Sequence, residues 1–242
     1  MMTQDYDAYT AEDADVWRRL FERQMKNLPG KAHPEYLKSL EKLSPVLNAD
    51  RIPRFSELNE ALMAEHGWSV TVVPGLIPVD QFFALLSEKT FCSSTWLRDI
   101  SQLDYLEEPD MFHDIFGHIP LLMNHSYARF IEQFGKLGAR FGHDKTVEKQ
   151  LQRLYWFTIE FGLIRDQADT RIYGAGILSS AGETNHIFED VITVHPYDVE
   201  QVLHTDFITS EIQTQYYEIE SFQELFRSVE ELEASLLREV AV

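Results

Sequence analysis

Two histidines five residues apart, His113 and His118, stand in a short stretch that also carries aspartates and prolines, residues 109–120. Imidazole is a common ligand of zinc, copper, iron and nickel, so closely spaced histidines indicate a candidate metal site. The alternative is a pair of hydrogen-bonded core histidines, the commoner role of a histidine on an apolar segment. The residues around the pair decide between these interpretations.

The spacing of the pair argues against a zinc-protease motif, in which two histidines lie four residues apart on one helix with a glutamate between them. An α-helix advances about 100° per residue, so residues five apart diverge by about 140°. The two histidines can share a metal only if the helix ends or bends between them. Gly117 and Pro120 give a physical reason for it to do so.

Glu160 is the candidate third ligand, in the aromatic and apolar stretch 154–163. A carboxylate among such side chains is costly to bury unless a positive group meets it. The alternative, a solvated residue on an amphipathic helix, is disfavoured by apolar neighbours on nearly every side. Two imidazoles and one carboxylate, with open positions opposite them, form the facial site of non-haem Fe(II) oxygenases. The sequence therefore predicts an open iron site that dioxygen can reach.

The elements that position these residues are predicted to be mainly helical. Helices are expected over about 11–28, 33–43, 56–67, 79–88, 126–137, 147–165 and 222–236. Strands are expected over 68–73 and 90–97, and residues 171–180 are expected to form a strand and a turn. The expected helix caps are Thr10 with Asp13, Ser56, Ser126, and Ser221 with Glu224. We predict a mostly α fold of the α+β class, with residues 1–242 forming a single catalytic domain.

Composition limits the partners of the chain. Its 40 acidic and 21 basic residues give a net charge of -19, which disfavours nucleic acid and anionic membranes. A single cysteine, Cys92, excludes an internal disulfide framework, and we interpret it as a small buried apolar residue. The chain has neither a signal-like start nor an apolar run of the ~20 residues that span a membrane. We expect a cytoplasmic protein whose partners are small molecules.

Three motifs resemble the pterin-dependent aromatic amino acid hydroxylases, and most of all their bacterial phenylalanine 4-hydroxylases. These are residues 110–122, 155–163 and 173–180, in the family's order, within a similarity that runs from about 9 to about 227. The resemblance implies a chemistry of Fe(II), tetrahydrobiopterin or a related tetrahydropterin, dioxygen and an aromatic amino acid. It assigns the iron ligands as His113, His118 and Glu160.

The resemblance also assigns the surroundings of the iron. The implied cofactor-binding residues are Gly75, Leu76, Ile77, Phe82, Asp114 and Tyr155. The implied substrate-binding residues are Arg98, Pro109, Trp156, Phe161, Ser179 and Glu183, with Asp110 and Ser179 supporting the first histidine. The guanidinium of Arg98 suits a bidentate contact to a carboxylate. Without the resemblance, Arg98 would be read as a surface charge, Phe82 as a core residue and Ser179 as part of an ordinary turn.

Two departures from the family weaken the substrate assignment. Leu106 stands where animal phenylalanine and tyrosine hydroxylases carry a threonine, and a leucine side chain cannot make the polar contact of that threonine to the substrate. Segment 184–212 is the least similar part, and we expect it to form part of the pocket rim.

Trp156 is larger than the aromatic residue of tryptophan hydroxylases at this position, which favours phenylalanine as the substrate. With neither a regulatory domain nor a tetramerisation helix expected, we predict a monomer or at most a weak dimer.

Three other functions remain open at this point. The first is tryptophan hydroxylation within the same family. The second is a 2-oxoglutarate-dependent oxygenase, although those usually carry a His-x-Asp motif on a β jelly roll, whereas this chain is mainly helical. The third is a non-catalytic protein that binds a metal or a pterin. Dependence on 2-oxoglutarate identifies the second, and absence of turnover with iron and pterin supplied identifies the third.

Overall fold

The computed structural model of the chain describes residues 2–104, 106, 108–209 and 211–240. Within them, ten α-helices and six short strands enclose one hydrophobic core, as the prediction of a mostly helical α+β fold requires. The helices are α1 Ala11–Asn27, α2 Pro34–Leu43, α3 Phe55–His66, α4 Val79–Ser87, α5 His125–Phe141, α6 Lys145–Tyr155, α7 Ala175–Ser179, α8 Ala181–His186, α9 Val199–His204 and α10 Phe222–Val240. None of these described helices has the length and apolarity needed to cross a bilayer.

The strands form two small sheets. They are β1 Ser69–Val72, β2 Thr90–Ser93, β3 Leu163–Asp166, β4 Asp169–Ile172, β5 Thr193–Pro196 and β6 Gln215–Ile219. Strands β1 and β2 pair in parallel, with Ser69 opposite Thr90. The second sheet has the order β4-β3-β6-β5, in which β3 and β4 are antiparallel and the other pairs are parallel.

The histidine stretch crosses the centre of the core. Phe112 and Phe116 are fully buried and stack with ring centroids 4.8 Å apart. Trp17 packs edge-to-face on Phe112, and Phe21 packs edge-to-face on Phe116, so α1 holds this stretch from behind. Aromatic pairs of this kind add about 0.5–1.5 kcal/mol each beyond area burial. The apolar side chains thus anchor the segment, and the polar ones between them are held in fixed directions.

The helix caps agree with the sequence at α1 and differ elsewhere. Thr10 and Asp13 form the predicted capping box. Helix α3 begins one residue earlier than predicted, with Arg54 and not Ser56 at its N-cap. Helix α5 is capped by Asn124 and not Ser126, because the Asn124 side chain accepts from the Tyr127 amide and asparagine is a strong N-cap.

The closing helix also departs from its predicted start. The Glu224 carboxylate accepts a hydrogen bond of 2.7 Å from the backbone N–H of Glu220, whereas the predicted capping box has it accept from Ser221. The residue whose backbone N–H is capped by Glu224 is therefore one position earlier than predicted. The helix itself, from Phe222, covers the predicted 222–236.

Five segments differ more strongly from prediction. The helix expected over 147–165 ends at Tyr155, continues as a wider turn and enters β3 at Leu163. The predicted turn within 171–180 is the short helix α7, and β2 covers only 90–93 of the predicted 90–97. Strands β5 and β6 were not predicted. Strand β6 is buried on both faces and therefore lacks the alternation that marks a half-exposed strand.

Candidate metal site and adjoining cavity

A π-helical turn from His113 to His118 explains the five-residue spacing of the histidines. In such a turn the hydrogen bonds run from residue i to i+5, so the turn is wider than in an α-helix and residues five apart face the same side. The two Nε2 atoms lie 3.2 Å apart. The prediction that the helix ends or bends at Gly117 is therefore wrong, because the helix widens between the two histidines. Pro120 begins the 3₁₀ turn that follows.

Gly117 serves a different purpose, close packing against α7. A Cβ atom at Gly117 would lie 2.8 Å from the backbone oxygen of Ala175. Gly174, the N-cap residue of α7, faces the other ligand-bearing segment, where a Cβ would lie 2.5 Å from the backbone oxygen of Glu160. The glycine-rich motif thus brings α7 against both segments that carry candidate ligands.

Glu160 ends a second π-helical turn, Trp156–Glu160, and its carboxylate faces both imidazoles. The Oε1 atom lies 3.1 Å from Nε2 of His118, and Oε2 lies 3.6 Å from Nε2 of His113. Ligand atoms about 2.1 Å from a common ion and at right angles to each other are about 3.0 Å apart. The three observed separations fit one ion held on a single face, as in the two-histidine, one-carboxylate sites of non-haem Fe(II) enzymes.

The charges of the three groups suit a divalent cation. Burial would raise the pKa of Glu160, but the two imidazoles outweigh it and hold that pKa well below its usual range. Burial lowers the pKa of His118. Burial also acts to lower the pKa of His113, but the Glu160 carboxylate outweighs it and raises that pKa. The metal-free site therefore holds an ionised carboxylate and a neutral His118, and a metal ion competes with a proton for His113.

Ser179 fixes the orientation of the first histidine. Its Oγ lies 3.0 Å from Nδ1 of His113 and donates its own proton to the backbone oxygen of Ala175 at 2.8 Å. A hydroxyl has one proton, so Oγ must accept from Nδ1–H, which leaves the lone pair of Nε2 for a metal. By contrast, the buried Nδ1 atom of His118 has no hydrogen-bond partner among the described residues.

Asp110 joins the metal-binding segment to Arg98. This fully buried carboxylate accepts from Nε and Nη2 of Arg98 at 2.8 and 2.9 Å, and from the backbone N–H of His113 at 3.0 Å. The Asp110 side chain therefore supports His113 by binding the backbone N–H of His113 and not its imidazole. Arg98 is 8 % exposed, so it is a buried ion-pair partner and not the surface charge that its sequence context alone indicates.

A cavity of about 280 Å³ opens beside the three ligands. All six predicted cofactor-binding residues line it, together with His113, His118, Glu160 and Pro109: Gly75, Leu76, Ile77, Phe82, Asp114 and Tyr155. The rings of Phe82 and Tyr155 meet edge-to-face with centroids 5.5 Å apart. Asp114 accepts from the backbone N–H of Ser94 at 3.0 Å, and burial raises the pKa of its carboxyl to about 7.

Sequence reasoning missed the contribution of β2 to this cavity. Phe91 and Cys92 of β2 line it, together with Ser94 directly after the strand. Cys92, interpreted from the sequence as a buried apolar residue, is only half-buried and faces the cavity, and burial raises the pKa of its thiol to about 12. The available signal was position, since β2 lies directly before the stretch that reaches Arg98.

Most of the predicted substrate-binding residues lie outside the lining of this cavity as the described residues define it. Trp156 contacts the ring of Phe161, with centroids 4.5 Å apart, and stacks on the ring of Phe207, with centroids 4.6 Å apart. Glu183 lies 3.5 Å from the Tyr216 hydroxyl, and burial raises its pKa. Leu106 is half-buried between two residues outside the described range. The substrate roles of these residues stay predictions.

The chain matches one family along almost its whole length. The family described as "Biopterin-dependent aromatic amino acid hydroxylase" matches residues 5–242. Phenylalanine-4-hydroxylase of Chromobacterium violaceum is 44% identical over 226 residues, 93% of this chain and 75% of that protein. The enzyme of the same name from Pseudomonas aeruginosa is 40% identical over 231 residues, 96% of this chain and 87% of that protein.

Solved structures agree with this match. The structure of C. violaceum phenylalanine hydroxylase with bound Fe(III) has a TM-score of 0.93 at 44% identity. The match covers 99% of this chain and 86% of the chain in that structure. A second structure of that enzyme, with iron(III) and oxidised 7,8-dihydrobiopterin bound, has a TM-score of 0.92 with the same coverage. The chain belongs to the biopterin-dependent aromatic amino acid hydroxylases.

Proposed function

We propose that this chain is a phenylalanine 4-hydroxylase, a monooxygenase that converts L-phenylalanine to L-tyrosine. The observation that carries the proposal is the three-ligand set of His113, His118 and Glu160 at the wall of a cavity lined by aromatic and acidic side chains. Its relatives at 40–44% identity are named phenylalanine-4-hydroxylases, and the C. violaceum enzyme binds iron and a biopterin.

The three ligands would hold Fe(II) and leave the positions opposite them open to the cavity. Bound together, iron and a reduced pterin supply the activation of dioxygen, which amino acid side chains cannot perform. The protein contributes placement and exclusion of water. His118 is 3% exposed and stands against Phe91, with ring centroids 4.7 Å apart, so this side of the site is dry.

The cavity has the features that a tetrahydropterin needs. A pterin is a flat ring system with an apolar face and a polar amide and amine edge. Phe82 and Tyr155 offer aromatic surface for the ring, and Asp114 offers a carboxyl group to the polar edge. We propose that Gly75, Leu76 and Ile77 close the cavity beside the ring.

For the amino acid we propose that Arg98 binds the carboxylate, and that Pro109, Trp156 and Phe161 enclose the aromatic ring. The Asp110 ion pair holds the Arg98 guanidinium in place from one side. We propose Glu183 for the amino-group end. The large indole of Trp156 narrows the slot, which favours phenylalanine over tryptophan.

Other properties stay predictions. These are the single catalytic domain over 1–242, the monomer or at most weak dimer, and the cytoplasmic location. Light scattering across a concentration series tests the oligomeric state.

An iron-reconstituted assay with tetrahydropterin and dioxygen tests the proposed function directly. Phenylalanine, tyrosine and tryptophan are supplied separately and the products identified by mass spectrometry. We expect tyrosine from phenylalanine as the fastest reaction, with no requirement for 2-oxoglutarate. Faster hydroxylation of tryptophan would overturn the substrate preference, and no turnover of any of the three would favour a non-catalytic pterin- or metal-binding protein.

A further inference from the structure

The segment that leads from α9 to β6 contacts Trp156 at two points. The ring of Phe207 stacks on the indole with an interplanar angle of 12°. The side-chain Oε1 of Gln213 accepts a hydrogen bond from the indole Nε1–H. The stack fixes the plane of the indole, and the hydrogen bond fixes its direction within that plane. Together they leave Trp156 one orientation.

Gln213 is itself held firmly by its backbone. Its carbonyl oxygen accepts from the Tyr216 hydroxyl at 2.7 Å and lies 3.1 Å from Nε2 of His186, the last residue of α8. Tyr216 is fully buried. The Gln213 side chain therefore starts from a fixed point between α8 and β6, and its amide can direct the indole without first being ordered by it.

Of the two polar atoms in the Gln213 side chain, only Oε1 has a hydrogen-bond partner among the described residues. The other atom, Nε2, is buried and has none. An unpaired buried donor is unfavourable, and a methionine would fill a similar volume without one. The property that glutamine offers here is thus the acceptor oxygen that faces the indole.

We infer that Gln213 is a positioning residue that sets the orientation of Trp156 and, through it, the width of the slot for the aromatic ring of the amino acid. This inference rests on the proposed function, in which Trp156 forms a wall of the substrate site. Among the described residues, Gln213 makes no hydrogen bond to the candidate metal ligands and is not part of the lining of the cofactor cavity. It acts on the amino acid and not on the pterin.

Kinetics of Gln213→Met and Gln213→Glu test the inference, with Gln215→Met as the control. Gln215 is a half-buried glutamine two residues away that donates to the Tyr217 hydroxyl. In Gln213→Met we expect the KM for phenylalanine to rise about threefold to tenfold, the worth of one hydrogen bond, and the preference for phenylalanine over tryptophan to fall. The KM for tetrahydropterin and the iron content should match the control. Gln213→Glu keeps an acceptor oxygen and should restore most of the preference.

A second readout does not depend on activity. In protein labelled with ¹⁵N-tryptophan, Trp156→Phe identifies the Trp156 signal among the four indole N–H resonances. We expect that N–H to exchange slowly with solvent in the parent protein and in Gln213→Glu, and quickly in Gln213→Met. Adding Gln213→Met to Trp156→Phe should change nothing further, because the donor is already gone.

Three results would overturn the inference. These are an unchanged exchange rate in Gln213→Met, additive losses in the double variant, or equal increases in the KM values for phenylalanine and pterin. The last result would mean that Gln213 only stabilises the fold. Failure of the proposed function is distinguishable, because then the parent protein itself hydroxylates none of the three amino acids while the exchange experiment still reports on Gln213.

Discussion

Replacing Ser179 with alanine should weaken iron binding without unfolding the protein. The Ser179 hydroxyl is the acceptor for Nδ1–H of His113 at 3.0 Å, and its own proton is committed to Ala175. Without it, the His113 ring keeps its place in the π-helical turn but loses the contact that selects its tautomer. The fraction of the site with Nε2 free to bind a metal therefore falls.

The size of the effect follows from these contacts. Loss of an outer hydrogen bond to a ligating histidine typically weakens metal affinity by about 10- to 100-fold, or about 1.4–2.8 kcal/mol. The free energy of unfolding should fall by only about 1 kcal/mol, because the hydroxyl makes one further hydrogen bond within α7 and alanine suits a helix. Metal affinity should thus change more than stability.

The assay is competition for Fe(II) against a chelator of known affinity, with thermal unfolding of the metal-free protein measured in parallel. Ser180→Ala is the matched control, since the Ser180 hydroxyl caps α8 by accepting from the Glu183 amide, whereas the hydrogen bond to Nδ1 of His113 comes from Ser179. We expect Ser180→Ala to lose stability and keep iron affinity. Equal iron affinity in Ser179→Ala and the parent protein would refute the reasoning.

Three further predictions concern packing and pH. Gly174→Ala should lower both the melting temperature and the iron content, because its Cβ would lie 2.5 Å from the backbone oxygen of Glu160. Gly182→Ala should change neither, because its Cβ would meet only Oγ of Ser180, at an ordinary contact distance of 3.9 Å. Melting curves and iron analysis check this. Burial lowers the pKa of His33, whose neutral Nδ1 caps α2. The contribution of His33 to the free energy of unfolding is therefore present above the unfolded pKa of about 6.5 and is lost as the pH falls towards the folded pKa. His33→Asn keeps a capping acceptor but does not titrate, so the free energy of unfolding in urea should fall less between about pH 7 and 5.5. The same pH dependence in His33→Asn and the parent protein would exclude this role. Because the pKa of His113 is raised in the metal-free site, iron binding near neutral pH should release up to about one proton, seen as a buffer-dependent heat in calorimetry that vanishes at high pH.

The chemistry of the site was predictable because it lies in residue types and order. Two histidines and one apolar-flanked glutamate indicated an open iron site, and the family resemblance placed Phe82 and Asp114 beside it. The cavity contains both. Helices with strong periodicity, such as α1 with its Thr10 capping box, were predicted nearly to the residue.

The geometry that makes the site work was not predictable in the same way. A π-helical turn differs from an α-helix by one residue in its hydrogen bonds, and side-chain periodicity does not distinguish them over six residues. The close approach of Gly174 to Glu160 depends on contacts between distant parts of the chain. The same is true of Gln213 and Trp156, which are far apart in sequence and meet only in the folded protein.

The most direct test of the central claim is the iron content of Glu160→Ala, measured with tyrosine formation from phenylalanine. Glu230→Ala, an exposed substitution on α10, is the control. If His113, His118 and Glu160 hold one catalytic iron, Glu160→Ala remains folded but binds far less than one iron per chain and forms no tyrosine, while Glu230→Ala matches the parent protein. One iron per chain and normal tyrosine formation in Glu160→Ala would contradict the account.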